Sequence, residues 1–281
     1  MLARPALALL LSCCVALPAM ASDRPVPVPI RASKVILVGD STTAVQGGWG
    51  PRFCADHLTS LAACVNLARG GRSTYNYRAE GSWALVEAEM RASGYAATWV
   101  LIQFGHNDQP GKPGRSTDLQ REFPDNLRRY IREVRAAGAV PVLITPLTRR
   151  QFASGTLIDD LGPWADAVRV VAGELDVPLV DLHARSRALV QAMGPVMAMH
   201  LAQAPASQAQ VIAALAGTTI DAVPTASTRG AAQHAVLEPM GQAKRAFDYT
   251  HLGDKGADVF ATVVAGELAR AVPEMRPLLL P

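Results

Sequence analysis

Residues 35–44 read Val-Ile-Leu-Val-Gly-Asp-Ser-Thr-Thr-Ala, an apolar run that stops abruptly at Gly-Asp-Ser. Consecutive aliphatic residues ended by glycine are typical of a parallel strand that is covered on both faces. Ligand sites in such sheets lie beyond the carboxyl ends of the strands. The run therefore predicts a buried strand that places Ser41 at the carboxyl edge of the sheet, where ligands bind. A turn stabilised by Asp40 and Ser41 alone is the alternative.

Apolar runs and helical patterns alternate along the rest of the chain. Strands are predicted at residues 34–38, 64–68, 99–104, 140–145 and 178–182. Helices are predicted at residues 50–58, 82–93, 119–137, 164–175 and 257–270. Strands and helices that alternate at this pitch predict an α/β fold with a doubly wound, parallel sheet and right-handed crossovers.

Composition and charge limit the classes of function. The chain has 281 residues, of which 49% are hydrophobic and 18% charged, which is enough for one sizeable domain. The formal net charge is +3, and no basic block with interleaved aromatic residues indicates a nucleic-acid groove. We therefore expect no nucleic-acid partner, and the sequence does not assign an oligomeric state.

Residues 1–21 have the pattern of a secretory signal peptide. Arg4 precedes an apolar run at residues 6–15, and the small-x-small sequence at residues 19–21 fits a cleavage site. The run is too short for a comfortable membrane span. Lipoprotein processing at Cys13 is an alternative, but it would remove most of the apolar run. We expect residues 22–281 to form one periplasmic or secreted domain, without stable membrane association and with a formal charge reduced from +3 to +2.

Two cysteines, Cys54 and Cys64, remain after removal of this signal. In an oxidising compartment they can close a short disulfide loop, and two buried free thiols are the alternative. Two cysteines without histidines at ligand spacing do not make a zinc site. We expect neither a metal nor a cofactor.

The least regular part of the chain is a predicted insert at about residues 204–242, rich in Ala, Gln, Thr, Gly and Pro. Residues 208–216 can form a helix within it. A long excursion of this kind is either a functional lid or a poorly ordered segment. His200 and His234 are interpreted as surface histidines of this region.

Nucleophilic acyl transfer needs a serine, a base that removes its proton, a group that orients the base, and donors for the oxyanion. Asp248 and His251 stand three positions apart before the last predicted helix, so both side chains can face the same way. Asp248 would then accept from one ring nitrogen while the other faces Ser41. The alternative is a helix-entry aspartate beside a surface histidine.

Oxyanion donors are suggested at the ends of two further strands. Gly70 and Gly71 follow the second strand, and paired glycines let a backbone amide approach a ligand closely. Asn107 follows the third strand, and a neutral amide side chain is a suitable donor. A tight turn and a helix cap are the alternatives for these two segments.

These blocks, in this order, resemble the SGNH (GDSL-type) hydrolases. Within that superfamily, residues 39–44, 71–73 and 104–108 and the motif Thr145-Pro-x-x-Arg149-Arg150 are most similar to rhamnogalacturonan acetylesterases. The resemblance covers about residues 34–270. It implies a three-layer sandwich with a central, mostly parallel five-stranded sheet of the flavodoxin-like kind.

The resemblance also implies an activity and a role for each site residue. Ser41 would be the nucleophile, His251 the general base and then acid, and Asp248 its orienter. The oxyanion hole would consist of the backbone amides of Ser41 and Gly71 and the side chain of Asn107, Gly71 being chosen because it directly precedes the arginine of its block. The reaction would be removal of O-acetyl groups from an acetylated plant cell-wall polysaccharide, with rhamnogalacturonan following from the resemblance alone and xylan as an alternative.

Rival functions are weaker. A metal-dependent phosphoesterase needs more converging carboxylates and histidines, and His106 and Asn107 stand in the reverse order from its Gly-Asn-His signature. An α/β-hydrolase lacks its Gly-x-Ser-x-Gly elbow here. A catalytically silent carbohydrate-binding domain would be expected to lack part of the site. His106 and Asp108 are interpreted as braces of the Asn107 loop, and Trp49 and Trp83 as either core residues or sugar platforms.

Overall fold

The computed structural model describes residues 27–221 and 245–280. The elements given below belong to one compact unit, Arg31–Pro281. The predicted signal peptide, residues 222–242 of the predicted insert, and His234 lie outside the described residues. These predictions therefore stay predictions.

The central sheet has five strands in the order β2-β1-β3-β4-β7, and every pair is parallel. Its strands are β1 (Ser33–Gly39), β2 (Ala62–Asn66), β3 (Thr98–Gln103), β4 (Val140–Ile144) and β7 (Leu179–Val180). A short antiparallel ribbon, β5 (Phe152–Ala153) with β6 (Thr156–Leu157), lies outside this sheet in the topology. The predicted α/β fold and five-stranded sheet are confirmed, and the sheet is parallel throughout.

Helices connect the strands. They are α1 (Gly50–Asp56), α2 (Asn76–Ala79), α3 (Ser82–Met90), α4 (Glu122–Ala136), α5 (Gly162–Glu174), α6 (Leu182–Ala198), α7 (Gln208–Leu215) and α8 (Asp254–Ala271). Short 3-10 helices follow at Met199–Leu201 and Pro273–Leu278. Within residues 27–221 and 245–280, none of these helices combines the length and hydropathy that a membrane span requires.

The sequence patterns predicted the wrong secondary structure around residue 182. The strand predicted at residues 178–182 ends at Val180, because Asp181 starts α6 and its carboxylate accepts from the backbone N–H of Ala184. Helix α6 was not predicted at all. Its pattern is interrupted at Gly194, which has a φ of 69° and is followed by proline.

The sheet is buried on both faces, as the first strand predicted. Val35 and Leu37 face a cluster built with α1, α6 and α8, whereas Ile36 and Val38 face one built with α3, α4 and α5. All four side chains are fully buried, and each contributes about 2 kcal/mol to folding by its removal from water.

The two tryptophans left open by the sequence are core residues. Trp49 is 0% exposed and Trp83 is 3% exposed, so neither can serve as a sugar platform. The indole N–H of Trp49 donates to the side-chain oxygen of Gln103 at 2.7 Å. This bond ties the start of α1 to the end of β3, next to the nucleophile turn.

Cys54 and Cys64 form a disulfide, with their Cα atoms 5.6 Å apart. The alternative of two free thiols is therefore wrong. The bridge joins α1 to the edge strand β2 across a sequence separation of 10 residues. Closing so short a loop stabilises the fold by about 3 kcal/mol in the chain-entropy account.

The carboxyl ends of β1 and β3 approach each other closely. Gly39 pairs with Gln103, and a methyl group added at Gly39 would lie 2.6 Å from the Gln103 carbonyl oxygen. Only glycine therefore fits at this position, directly before the Asp40–Ser41 turn. The end of β1 is fixed against its neighbour at the point where the nucleophile candidate begins.

Candidate active site

A cleft of about 1690 Å³ lies beside the carboxyl ends of β1 and β2 and the start of α8. Ser41, Asp248 and His251 all line it, as does the glycine pair that follows β2. His200 also lines it and is exposed, as expected of a surface histidine. This position, beyond the strand ends of an open parallel sheet, is where ligand sites of such folds lie.

The turn that carries Ser41 is held by Asp40 and its own backbone. Asp40 is fully buried, and its Oδ1 accepts from the backbone N–H and the hydroxyl of Thr42, both at 2.8 Å. Burial acts to raise the pKa of Asp40, but the nearby His106 and the Thr42 donors outweigh burial and hold this pKa below its ordinary value. Asp40 is thus an ionised brace of the turn, and Ser41 is left half-buried at the cleft.

Ser41, His251 and Asp248 form one hydrogen-bonded line. His251 Nε2 lies 2.9 Å from Ser41 Oγ, and His251 Nδ1 lies 2.7 Å from Asp248 Oδ2. An ionised carboxylate only accepts hydrogen bonds, so Nδ1 must carry the proton and Nε2 is left with its lone pair toward the serine. The structure brings the three predicted residues together in the arrangement that a general base needs.

Asp248 is built to stay ionised. Its second oxygen, Oδ1, accepts from the backbone N–H groups of Thr250 at 2.7 Å and His251 at 2.6 Å. Burial acts to raise the pKa of Asp248, but the hydrogen bonds from His251 and Thr250 outweigh burial and lower this pKa below its ordinary value. A carboxylate in this state can orient His251 and stabilise an imidazolium.

Gly70, the first of the two glycines after β2, lies against Ser41. A methyl group added at Gly70 would lie 3.6 Å from the Cβ of Ser41. Gly71 has a φ of +78°, a left-handed conformation that favours glycine. Gly70 is therefore placed beside Ser41, and Gly71 lines the same cleft. That Gly71, not Gly70, supplies an oxyanion amide stays a prediction.

Asn107 lies behind this glycine loop and is 7% exposed. Its Nδ2 donates to the carbonyl of Arg72 at 3.0 Å, which uses one of the two amide N–H groups. Arg115 lies near Asn107 Oδ1 at 3.5 Å and near the carbonyl of Gly71 at 3.4 Å. Asn107 thus joins the end of β3 to the glycine loop. It is not among the residues that line the cleft, and its role as an oxyanion donor stays a prediction.

Asp108 braces the same two loops, as predicted. Its Oδ1 accepts from the backbone N–H of Thr74 at 3.0 Å, from the Thr74 hydroxyl at 2.5 Å and from the Thr117 hydroxyl at 3.0 Å. Burial raises the pKa of Asp108 to about 7, although these donors act in the opposite direction. His106 is also buried, with Nδ1 at 3.4 Å from Asp40 Oδ2, so it lies behind the nucleophile turn and away from the cleft.

Positive charge dominates the cleft. Among the described lining residues, six Arg or Lys side chains face three acidic ones. The cations are Arg52, Arg69, Arg72, Arg115, Arg245 and Lys255. Arg52 pairs with Asp56 and Asp258, and Arg72 pairs with Glu80, whereas Arg69, Arg115 and Lys255 make no ion pair within the described residues. Sequence reasoning missed this feature, since no local pattern links these positions.

No group of three or more His, Cys, Asp or Glu side chains converges within residues 27–221 and 245–280 in a way that could hold a metal ion. A two-metal hydrolytic site needs several such ligands. The described residues therefore do not provide the ligand set of the rival phosphoesterase.

Comparisons with known proteins agree with the fold and indicate a family. The model of the GDSL-like lipase/acylhydrolase family matches residues 37–204. The chain is 33% identical over 170 residues to a probable rhamnogalacturonan acetylesterase of Bacillus subtilis, YesY, covering 58% of this chain and 76% of that protein. It is 38% identical over 171 residues to the rhamnogalacturonan acetylesterase RhgT of the same organism, covering 58% of this chain and 70% of that protein.

Two solved structures share the fold at low sequence identity. The Bacillus subtilis protein YxiM superimposes with a TM-score of 0.60 at 23% identity, over 86% of this chain but only 57% of that protein. Axe2, an acetylxylan esterase from Geobacillus stearothermophilus, superimposes with a TM-score of 0.52 at 17% identity, over 86% of this chain and 95% of that protein. At these identities the likeness concerns the fold alone.

Proposed function

Because the chain belongs to the family of GDSL-like lipases and acylhydrolases, we propose that it is a serine esterase that removes O-acetyl groups from an acetylated plant cell-wall polysaccharide. The observation that carries the proposal is the hydrogen-bonded line from Asp248 through His251 to Ser41 at the cleft. The names of the relatives at 33% and 38% identity support acetyl ester hydrolysis on a carbohydrate.

In the first half of the proposed reaction, Ser41 Oγ attacks the carbonyl carbon of the acetyl ester while its proton moves to His251 Nε2. The carbonyl π electrons move to oxygen, and the backbone amides of Ser41 and Gly71 and the remaining N–H of Asn107 stabilise this oxyanion. When the oxyanion collapses, the bond between the carbonyl carbon and the sugar oxygen breaks. His251 gives its proton to this departing sugar oxygen, which leaves as a hydroxyl group.

In the second half, water attacks the acetyl group now carried by Ser41. His251 Nε2 takes one proton from this water, and the new tetrahedral intermediate is stabilised by the same donors. Its collapse breaks the bond between the acetyl carbon and Ser41 Oγ and returns the proton to Ser41. The product leaves as acetic acid, which loses its remaining proton to solvent and becomes acetate. Asp248 has kept the imidazole in one tautomer through both halves.

We propose an acidic pectic backbone, rhamnogalacturonan, as the substrate. Its uronate carboxylates are negative, whereas a xylan main chain is neutral. The cations Arg69, Arg115 and Lys255 at the cleft favour a negatively charged chain. Xylan stays the alternative, and the shared fold with Axe2 does not decide between the two.

We also propose that the protein works in the periplasm or outside the cell. The disulfide between Cys54 and Cys64 supports this, because disulfides persist in oxidising compartments.

Acetate release from a panel of acetylated polysaccharides tests the proposal. The panel contains acetylated rhamnogalacturonan and acetylated xylan, each incubated with the wild type, with Ser41→Ala, and with the wild type plus a chelator. We expect release by the wild type, faster on the acidic polymer, none by Ser41→Ala, and no effect of the chelator. Equal release by wild type and Ser41→Ala would overturn the serine mechanism. Binding without release would indicate a silent carbohydrate-binding protein.

A further inference from the structure

Arg150 satisfies the carbonyl groups of four consecutive residues in the loop that carries Asp248 and His251. Its backbone N–H donates to the carbonyl of Tyr249 at 2.9 Å. Its guanidinium donates through Nη2 to the carbonyls of Asp248 at 2.9 Å and His251 at 2.8 Å, and through Nη1 to that of Thr250 at 3.2 Å. Arg150 is thus the common partner of the whole 248–251 loop.

The 248–251 loop has no support from regular secondary structure. No helix or strand includes these residues, so their carbonyls have no ladder or helical partners. The amide side of the loop is tied by Asp248, whose carboxylate accepts from the N–H groups of Thr250 and His251. Arg150 ties the opposite, carbonyl side. The directions in which Asp248 and His251 point therefore depend on both residues.

The Arg150 side chain is 1% exposed, which is unusual for an arginine. Burial lowers the pKa of Arg150 to about 10, and the charge of Asp248 acts in the opposite direction, so the guanidinium stays charged at neutral pH. A planar guanidinium presents its donors in a fixed fork, which an ammonium cannot reproduce. The buried charge is compensated mainly by the carbonyls of the 248–251 loop.

We propose that Arg150 is a positioning residue that holds the 248–251 loop so that His251 Nε2 stays in register with Ser41 Oγ. This inference rests on the proposed function. Arg150 does not line the cleft, so it acts through Asp248 and His251 and does not touch the substrate. Errors of about 1 Å in the position of a catalytic group can cost about 100-fold in rate.

The test compares Arg150→Met, which removes all side-chain donors at similar length, with Arg150→Lys, which keeps the charge without the fork. The control is Arg169→Met, because Arg169 also makes three side-chain hydrogen bonds, to Asp166 and Asp181, but none to the loop. Two readouts are used. One is the rate at which a fluorophosphonate labels Ser41, together with kcat and KM for p-nitrophenyl acetate. The other is the downfield proton resonance of His251 Nδ1–H.

For Arg150→Met we expect labelling and kcat to fall by about 100-fold, KM to change by less than about twofold, and the Nδ1 proton resonance to be lost. For Arg150→Lys, labelling and kcat should lie between those of Arg150→Met and the wild type, about tenfold below the wild type. Arg169→Met should match the wild type in both readouts. A global loss of stability alone would instead lower the fraction of folded, labelled protein but leave the Nδ1 resonance of the folded molecules in place.

Wild-type labelling rates and a retained Nδ1 resonance in Arg150→Met would overturn the inference. If Arg150→Met does not fold, Arg150→Lys is the test variant. Wild-type labelling rates and a retained Nδ1 resonance in Arg150→Lys would then overturn the inference. Failure of the proposed function has a different signature, namely no labelling of Ser41 in the wild type. In that case the Nδ1 resonance still reports whether Arg150 holds the loop.

Discussion

Replacing Arg69 or Lys255 by glutamine separates recognition of an acidic polysaccharide from the chemistry of ester hydrolysis. Both side chains line the cleft, Arg69 half-buried and Lys255 exposed, and neither has an ion-pair partner among the described residues. A substrate carboxylate about 4 Å from either cation would gain about 1 kcal/mol in a water-like dielectric. Salt and side-chain entropy reduce this to about 0.5 kcal/mol. Each substitution should therefore raise KM two- to threefold, and the double substitution about fivefold.

The assay follows acetate release from acetylated rhamnogalacturonan at low and high salt, with acetylated xylan and p-nitrophenyl acetate as neutral substrates. Arg52→Gln is the matched control, since Arg52 lines the same cleft but already pairs with Asp56 and Asp258. It changes the net charge by the same amount and should change KM less. The kcat values should stay within about twofold for all four variants, because none of these cations contacts the reacting atoms.

Equal rises in KM for the acidic and the neutral substrates would refute this reasoning, because a charge effect must be specific for a charged ligand. An effect of Arg52→Gln as large as that of Arg69→Gln would also refute it. Such a result would indicate a long-range field of the whole protein in place of a local subsite.

Three further outcomes are expected. His251→Ala should lower kcat for p-nitrophenyl acetate by about 10³-fold or more, and Asp248→Asn should lower it by less, since Ser41, His251 and Asp248 act as a unit. A full rate in His251→Ala would mean that another group is the base. The Cys54→Ser/Cys64→Ser double variant should lose about 3 kcal/mol of unfolding free energy in urea titrations, given the separation of 10 residues; an unchanged midpoint would contradict the entropic estimate. Burial raises the pKa of Asp108 to about 7 in the folded state. Because the unfolded chain releases this proton near pH ~4, the stability of the wild type relative to Asp108→Asn should fall as pH rises from about 4 to 7 in thermal unfolding. A decline of the same slope in both proteins would remove Asp108 as its source.

The sheet could be predicted because its signal is local. Val35 to Val38 are four consecutive aliphatic residues, and a strand covered on both faces needs no more than that. That Ser41 and Asn107 follow neighbouring strands of one parallel sheet was also predictable, since the carboxyl ends of parallel strands share one edge. Asp248 and His251 could be predicted as site residues only because they follow the blocks of Ser41, Gly71 and Asn107 in the expected order.

Other features depend on contacts that no local pattern records. Helix α6 was missed because Asp181, its N-cap, follows an apolar run that resembles a longer strand, and because Gly194 interrupts the helical period. Arg150 is next to Arg149 in the motif at residues 145–150. The four residues of the 248–251 loop that it contacts lie about 100 positions away in sequence. Arg69 and Lys255 share a cleft only through the tertiary fold.

The hydrogen bond between His251 and Ser41 joins positions 210 residues apart, and this separation has a consequence for biogenesis. A ribosome that has completed the strand before Ser41 must still synthesise most of the chain before a base exists. Contacts of such high sequence separation also form late and slowly in folding. Esterase activity should therefore be the last property that a nascent chain acquires, so that it reports completion of folding more strictly than any spectroscopic measure of helix or sheet content.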